Sequence, residues 1–184
     1  MLNVHSYFSF KYGLRSIEEL VIWAINNKYR MMCLTDINST AGCLDFIRQS
    51  KKKGLRPLIG IDFRNGATQQ FVAIAKNNTG FQKLNTFLSN HLHQNIEIPK
   101  TPDQSIEHTF IIYPLTNIPN RELNYDEFIG IKPQEVTRVH YIKALPKEKI
   151  IAFPTFTLPR SEDHVLHSVL RAIDLNTLVS KLPP

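Results

Sequence analysis

At 184 residues, with 42% aliphatic, aromatic and Cys residues, the chain can bury a core without disulfides or metals and is too apolar to be disordered throughout. Its net charge is +6, and the excess lies in the first half: residues 1–90 carry 12 Lys/Arg against 5 Asp/Glu, residues 91–184 carry 10 against 11. No apolar run approaches the roughly 20 residues of a membrane helix, Met1-Leu2-Asn3-Val4-His5 lacks the layout of a signal peptide, and two cysteines (Cys33, Cys43) build neither a disulfide framework nor a Cys-rich zinc site. What remains is a soluble, cytoplasmic globular domain.

Met1–Tyr7 alternates and starts apolar, as a first strand would. Ser16-Ile17-Glu18-Glu19 is a capping box, and Ile17, Leu20, Val21, Ala24 and Ile25 share one face of the helix it opens. Met31–Asp36 is a short apolar run ending in a polar pair, the pattern of a buried parallel strand. A helix over Gly42–Lys53 follows, stopped by Gly54, then a strand over Pro57–Asp62 and another over Phe71–Ala75. Asn77 and Asn78 can cap a helix whose face is Phe81, Leu84, Phe87 and Leu88. Residues 93–107 read as loop, Thr109–Tyr113 and Glu127–Ile131 as strands, Gln134–Tyr141 as a helix and Lys149–Phe153 as a last strand. Ser161 is placed to cap a final helix with Val165, Leu166, Val169, Leu170 and Ile173 on one side. Strands alternating with helices predict βα units and a parallel sheet, with polar residues at the strand ends where sites are built.

The densest basic run is Arg48, Lys51, Lys52, Lys53 and Arg56, a set of candidate phosphate contacts together with Arg64, Lys76 and Lys83. Cations at a helix C-terminus are the plainer explanation of that run. His91-x-His93 sits at a helix end and not at a strand end. His164 and His167, three apart on one helix, could share a ligand, whereas His108 and His140 stand alone. Cys33 reads as core, and no Ser or Cys lies in a nucleophile motif.

Four segments form an ordered set: Asn3-Val4-His5-Ser6-Tyr7-Phe8-Ser9, Leu34-Thr35-Asp36-Ile37-Asn38, Gly54-Leu55-Arg56-Pro57-Leu58-Ile59-Gly60-Ile61-Asp62 and Ala75-Lys76-Asn77-Asn78-Thr79-Gly80-Phe81. In order and spacing they resemble the PHP (polymerase and histidinol phosphatase) domain at the N-terminus of the bacterial DNA polymerase III alpha subunit. Phe128–Pro133 and Leu170–Leu178 are similar to the divergent alpha subunits of Bacteroidetes-type bacteria. The resemblance implies an α/β fold, a distorted seven-stranded β/α barrel with a shortened middle. It also implies one PHP-like domain over residues 1–184, an N-terminal piece of a longer polymerase chain. Active members of the family hold three divalent metals and hydrolyse phosphoesters.

Most of the ligands that the resemblance calls for are replaced. The first His-x-His motif reads Asn3-Val4-His5, the acidic residue before Gly13 is Tyr12, and Thr-Asp-His reads Thr35-Asp36-Ile37. Asp62 keeps a carboxylate, and the late Asp-x-His motif falls at Thr155-Phe156-Thr157. His5 and Asp62 are therefore expected to hydrogen-bond to each other or to backbone inside a vestigial mouth, and Asp36 to be structural. No cofactor is expected, a weak divalent ion at His5 and Asp62 being the alternative. The expected role is a scaffold in DNA replication, inactive alone, within a parent DNA-directed DNA polymerase (a nucleotidyltransferase). Its implied partners are the remainder of the alpha chain, a proofreading exonuclease subunit, and DNA through the whole polymerase. The competing readings are a phosphoesterase with rearranged ligands (His91, His93 or His164) and a nucleic-acid-binding module built on the basic half.

Overall fold

A computed structural model describes residues 1–102, 106–141, 145–157 and 163–182. Six strands, β1 (Met31–Leu34), β2 (Arg56–Asn65), β3 (Thr68–Ala75), β4 (Thr109–Pro114), β5 (Glu127–Ile131) and β6 (Ile150–Ala152), make one sheet in chain order. β1 pairs with β2, β4 with β5 and β5 with β6 in parallel. The expectation of an all-parallel sheet fails in the middle, where β3 is antiparallel to both β2 and β4. The reason is local. Asn65 pairs directly with Thr68, so only Gly66 and Ala67 join β2 to β3, and so short a link can make only a hairpin. Gly66 takes φ +56° in that turn, where other residues are strained.

The sheet curls until its ends meet. Met1–Tyr7 does not form the expected full strand, because the chain turns back on itself after His5. Yet Val4 bridges in parallel to Leu34 on one side and to Phe156 on the other. The Thr35 N–H donates to Val4 O (2.9 Å), the His5 N–H to Phe156 O (3.1 Å) and the Phe156 N–H to Asn3 O (2.8 Å). The interior fits this closure. Leu2, Cys33, Leu58, Val72, Ile74, Ile112, Phe128, Ile151 and Phe153, drawn from the N-terminal run and all six strands, pack in one cluster. A barrel interior collects side chains in this way.

Helices cover the outside. α1 (Ile17–Asn26) starts at the predicted capping box: Ser16 Oγ accepts from Glu19 N–H, and the Glu19 carboxylate accepts from Ser16 N–H. With α2 (Cys43–Lys52) it buries Ile17, Leu20, Val21 and Phe46 against Val4, Met32 and Leu34. α3 (Asn78–Gln94) is capped by Asn77, whose side chain accepts from Gly80 N–H, and lays Leu84 and Leu88 on Ile61, Phe63, Phe71 and Tyr113. α4 (Val136–Tyr141) and α5 (Asp163–Asp174) complete the set. Ser161, the expected cap of α5, lies outside the described residues. Among the described residues no helix is long and apolar enough to cross a membrane.

Candidate functional site

The mouth of the barrel is built where Asn3–His5, the end of β1, the middle of β2 and residues 155–157 come together. At its floor, Asn3 is fully buried and both ends of its amide are used. Its Oδ1 accepts from the Thr35 hydroxyl (2.9 Å), and its Nδ2 donates to Thr155 Oγ1 (3.1 Å). Val4 holds the next position of the closing run, so His5 emerges one residue later with no exposed surface. Its Nε2–H donates to Asp62 Oδ2 at 3.0 Å, and its Nδ1 meets the Thr157 hydroxyl at 3.1 Å. The expected meeting of His5 with Asp62 is thus present. Both threonines of the Thr155-Phe156-Thr157 segment touch the residues that the resemblance grouped with them.

Charge alone suggests Arg64 as a phosphate contact, and its place in the structure is different. Its side chain is buried. Its Nε and Nη2 both donate to Asp62 Oδ2, at 3.0 and 2.7 Å, while Gln69 Nε2 donates to Oδ1 at 2.9 Å. With His5, four N–H groups thus converge on one carboxylate that has no exposure to water. Burial works against ionisation of Asp62. The Arg64 charge and the bond from His5 outweigh it, and the carboxyl is held below its ordinary value. A sequence cue existed: residues two apart on a strand face the same side, so Arg64 was placed to reach Asp62.

Tyr12 roofs this cluster. Arg64 Cζ lies 4.8 Å and Arg171 Cζ 5.3 Å from the Tyr12 ring centroid. Its ring meets those of His5 (5.2 Å) and His167 (4.8 Å) edge-on. His167 Nδ1–H donates to Tyr12 O at 2.9 Å, which ties α5 over the mouth; burial lowers the affinity of this imidazole for a second proton. A cavity of about 680 Å³ remains between, lined by Tyr12, Arg64, His164, His167 and Arg171. Sequence reasoning placed His164 and His167 on one helix but missed their position over Tyr12.

Asp36 serves the loop that carries Tyr12. It accepts from Ser6 N–H (2.6 Å), Ser6 Oγ (2.7 Å) and Ser9 Oγ (2.7 Å). Its burial pushes the carboxyl up despite these bonds. Gly13 closes the loop where an added Cβ would lie 1.7 Å from Ser6 O, so no side chain fits there. Ile37 contributes only backbone: it bridges to Asp62, and its N–H donates to Ser9 Oγ (3.0 Å).

The other sequence candidates lie elsewhere. His91 Nδ1–H donates to Phe87 O (2.8 Å) within α3, and His93 is exposed on the same helix. His108 faces Asn77. The side chain of His140 lies outside the described residues. Arg48 donates to Asp45 (2.7 Å), Lys76 pairs with Asp126 and Lys83 with Glu107, whereas Lys51, Lys52, Lys53 and Arg56 are exposed. Among the described residues, no group of three or more His, Cys, Asp or Glu side chains is placed to hold a metal ion.

Comparison with known proteins gives this geometry a lineage. Residues 2–145 match the PHP domain family. The DNA polymerase III subunit alpha of Ureaplasma parvum is 43% identical over 84 residues, covering 45% of this chain and 8% of that protein. The subunit of the same name from Mycoplasma genitalium is 32% identical over 120 residues, 62% of this chain and 13% of that protein. Among solved structures, an amidohydrolase from Chromobacterium violaceum aligns with a TM-score of 0.41 at 18% identity, over 51% of this chain and 33% of that one. The family match spans most of the chain and takes in Asn3, His5, Tyr12, Ile37 and Asp62, and the chain belongs to the PHP domain family.

Proposed function

We propose that this chain is the N-terminal PHP domain of a DNA polymerase III alpha subunit, that its metal centre is degenerate, and that its role in replication is structural. The observation that carries the reading is the Arg64 guanidinium seated on Asp62. A metal centre needs imidazole nitrogens and carboxylate oxygens with free lone pairs. Here the Asn3 amide is engaged by Thr35 and Thr155, Ile37 has no donor atom, and the Asp62 oxygens take four N–H bonds. A divalent ion would have to displace a buried guanidinium. These residues do not fit the metal centre of the family, and no hydrolytic step is derived from them.

Within a polymerase, a domain of this kind packs on the rest of the alpha chain and helps to hold a proofreading exonuclease. DNA is then engaged through the whole enzyme, and nucleotidyl transfer belongs to other parts of it. The likeness to alpha subunits that are many times longer supports this reading.

Metal content after incubation with Mn²⁺ and Zn²⁺ and desalting tests it, alongside hydrolysis of p-nitrophenyl phosphate. Near-zero metal and no hydrolysis are expected. Stoichiometric metal, with a hydrolytic rate abolished by His5→Ala, overturns the reading in favour of a phosphoesterase.

A further inference from the structure

We infer that the end of the barrel opposite the His5–Asp62 cluster is a binding face for the phosphate backbone of DNA. The topology assembles it. The chain leaves α1 at Asn26 and passes Lys28 and Arg30 before β1 begins at Met31; it leaves α2 at Lys52 and passes Lys53 before β2 begins at Arg56. β1 and β2 are adjacent and parallel, with Met31 opposite Arg56, and the Arg56 N–H donates to Arg30 O at 3.0 Å. Both entry loops therefore lie side by side. Arg56 is six residues before Asp62 on β2, about 20 Å along an extended strand. The face is thus distinct from the mouth.

Lys28, Arg30, Lys51, Lys52, Lys53 and Arg56 are all exposed, and among the described residues none of the six is in an ion pair. Asp126, which enters the same end of the barrel before β5, is taken up by Lys76. Between Glu19 and Asp62 the chain has two carboxylates, Asp36 and Asp45. Asp36 lies past the far end of β1, bound to Ser6 and Ser9, and Asp45 lies in the first turn of α2, paired with Arg48. Arg48 therefore leaves the set that charge alone suggested, and Lys28 and Arg30 enter it. The helix dipole explains Lys51 and Lys52, in the last turn of α2. It does not explain Lys28 or Arg30, because α1 has no basic residue in its last turn and both lie beyond it. Six uncompensated cations repel one another, and a polyanion relieves that repulsion while releasing its own counterions. The choice of DNA over other polyanions rests on the reading of the chain as part of a DNA polymerase.

The test is fluorescence anisotropy of this chain with a labelled duplex of about 20 base pairs, between about 50 and 200 mM salt. The variants are Lys51→Gln/Lys52→Gln/Lys53→Gln and, as a control with the same loss of charge, Lys100→Gln/Arg138→Gln/Lys181→Gln, three exposed cations away from the entry loops of the strands. The first triple is expected to bind about tenfold or more weakly, with a salt slope smaller by about 0.9 for each phosphate left without its lysine. The control is expected to stay within about twofold of the parent, because those three side chains lie off the face. Equal weakening by both triples makes the effect net charge alone and overturns the face. No binding at the lowest salt overturns it too, and so does tighter binding to phosphatidylserine vesicles than to DNA. None of these results changes the expected metal content, so this face can fail while the structural reading stands.

Discussion

Asp62 receives His5, both donors of Arg64, and Gln69, and it has no water to fall back on. Removing its charge strands a buried guanidinium, so Asp62→Asn should cost about 3–5 kcal/mol in denaturant unfolding. Arg64→Met combined with Asp62→Asn should cost less than the sum of the two single changes, since the stranded charge goes as well. The pH dependence has a definite sign. The folded carboxyl is held below its ordinary value, so the unfolded chain binds this proton first. Its contribution is complete above about pH 4, near the ordinary Asp value, and is lost as pH falls through the folded value. The stability gap between parent and Asp62→Asn should therefore narrow from pH 7 to pH 3. Equal gaps at both values would show that the fold does not hold the carboxyl below its ordinary value, and a gap that widens toward pH 3 would show an uncharged Asp62. The family resemblance placed His5 and Asp62 together in the mouth, and a buried imidazole and carboxylate need partners, so a bond to each other or to backbone was legible; the structure shows the first. Arg64 was not recognised, because a basic residue in isolation reads as surface. Only the curl of the sheet, which brings His5 and Tyr12 against β2, shows that its side chain is enclosed.

At the level of elements, local signals set the outer helices and tertiary pairing set the sheet. The capping box at Ser16 was readable because both of its bonds span three residues. Ser16→Ala should cost about 1 kcal/mol, the usual loss for such a cap. Thermal unfolding measures it, and a neutral result would mean that packing of Leu20 and Val21 alone holds the start of α1. Asn65-Gly66 was an equally local hairpin signal, hidden by the expectation of βα units throughout. Taking Pro57–Asp62 as a whole strand placed its end three residues early, which removed the pairing of Asn65 with Thr68 from view. The run from Met1 to Tyr7 erred the other way. Its alternation is real, but its strand pairing reduces to the Val4 bridges, because Asp36 draws Ser6 and Ser9 into a loop.

For the whole molecule, closure depends on Val4 lying between Leu34 and Phe156, which the sequence could not show because the two ends of the seam are more than 100 residues apart. Phe156 also packs on Trp23, ring centroids 4.1 Å apart. Trp23 is the chain's one tryptophan, so its fluorescence reads the closure directly. Phe156→Leu should shift its emission to longer wavelength and speed hydrogen exchange at the His5 and Phe156 amides together. Faster exchange at only one of them would mean that the two strands open separately. The mouth beyond this seam carries a covalently tethered counterion. A bound ion is subject to chelation, competition and dilution. A guanidinium carried by the chain is delivered with each copy at synthesis, one for each Asp62, and cannot diffuse away. The electrostatics of this mouth are accordingly inherited with the polypeptide, whatever ions surround it.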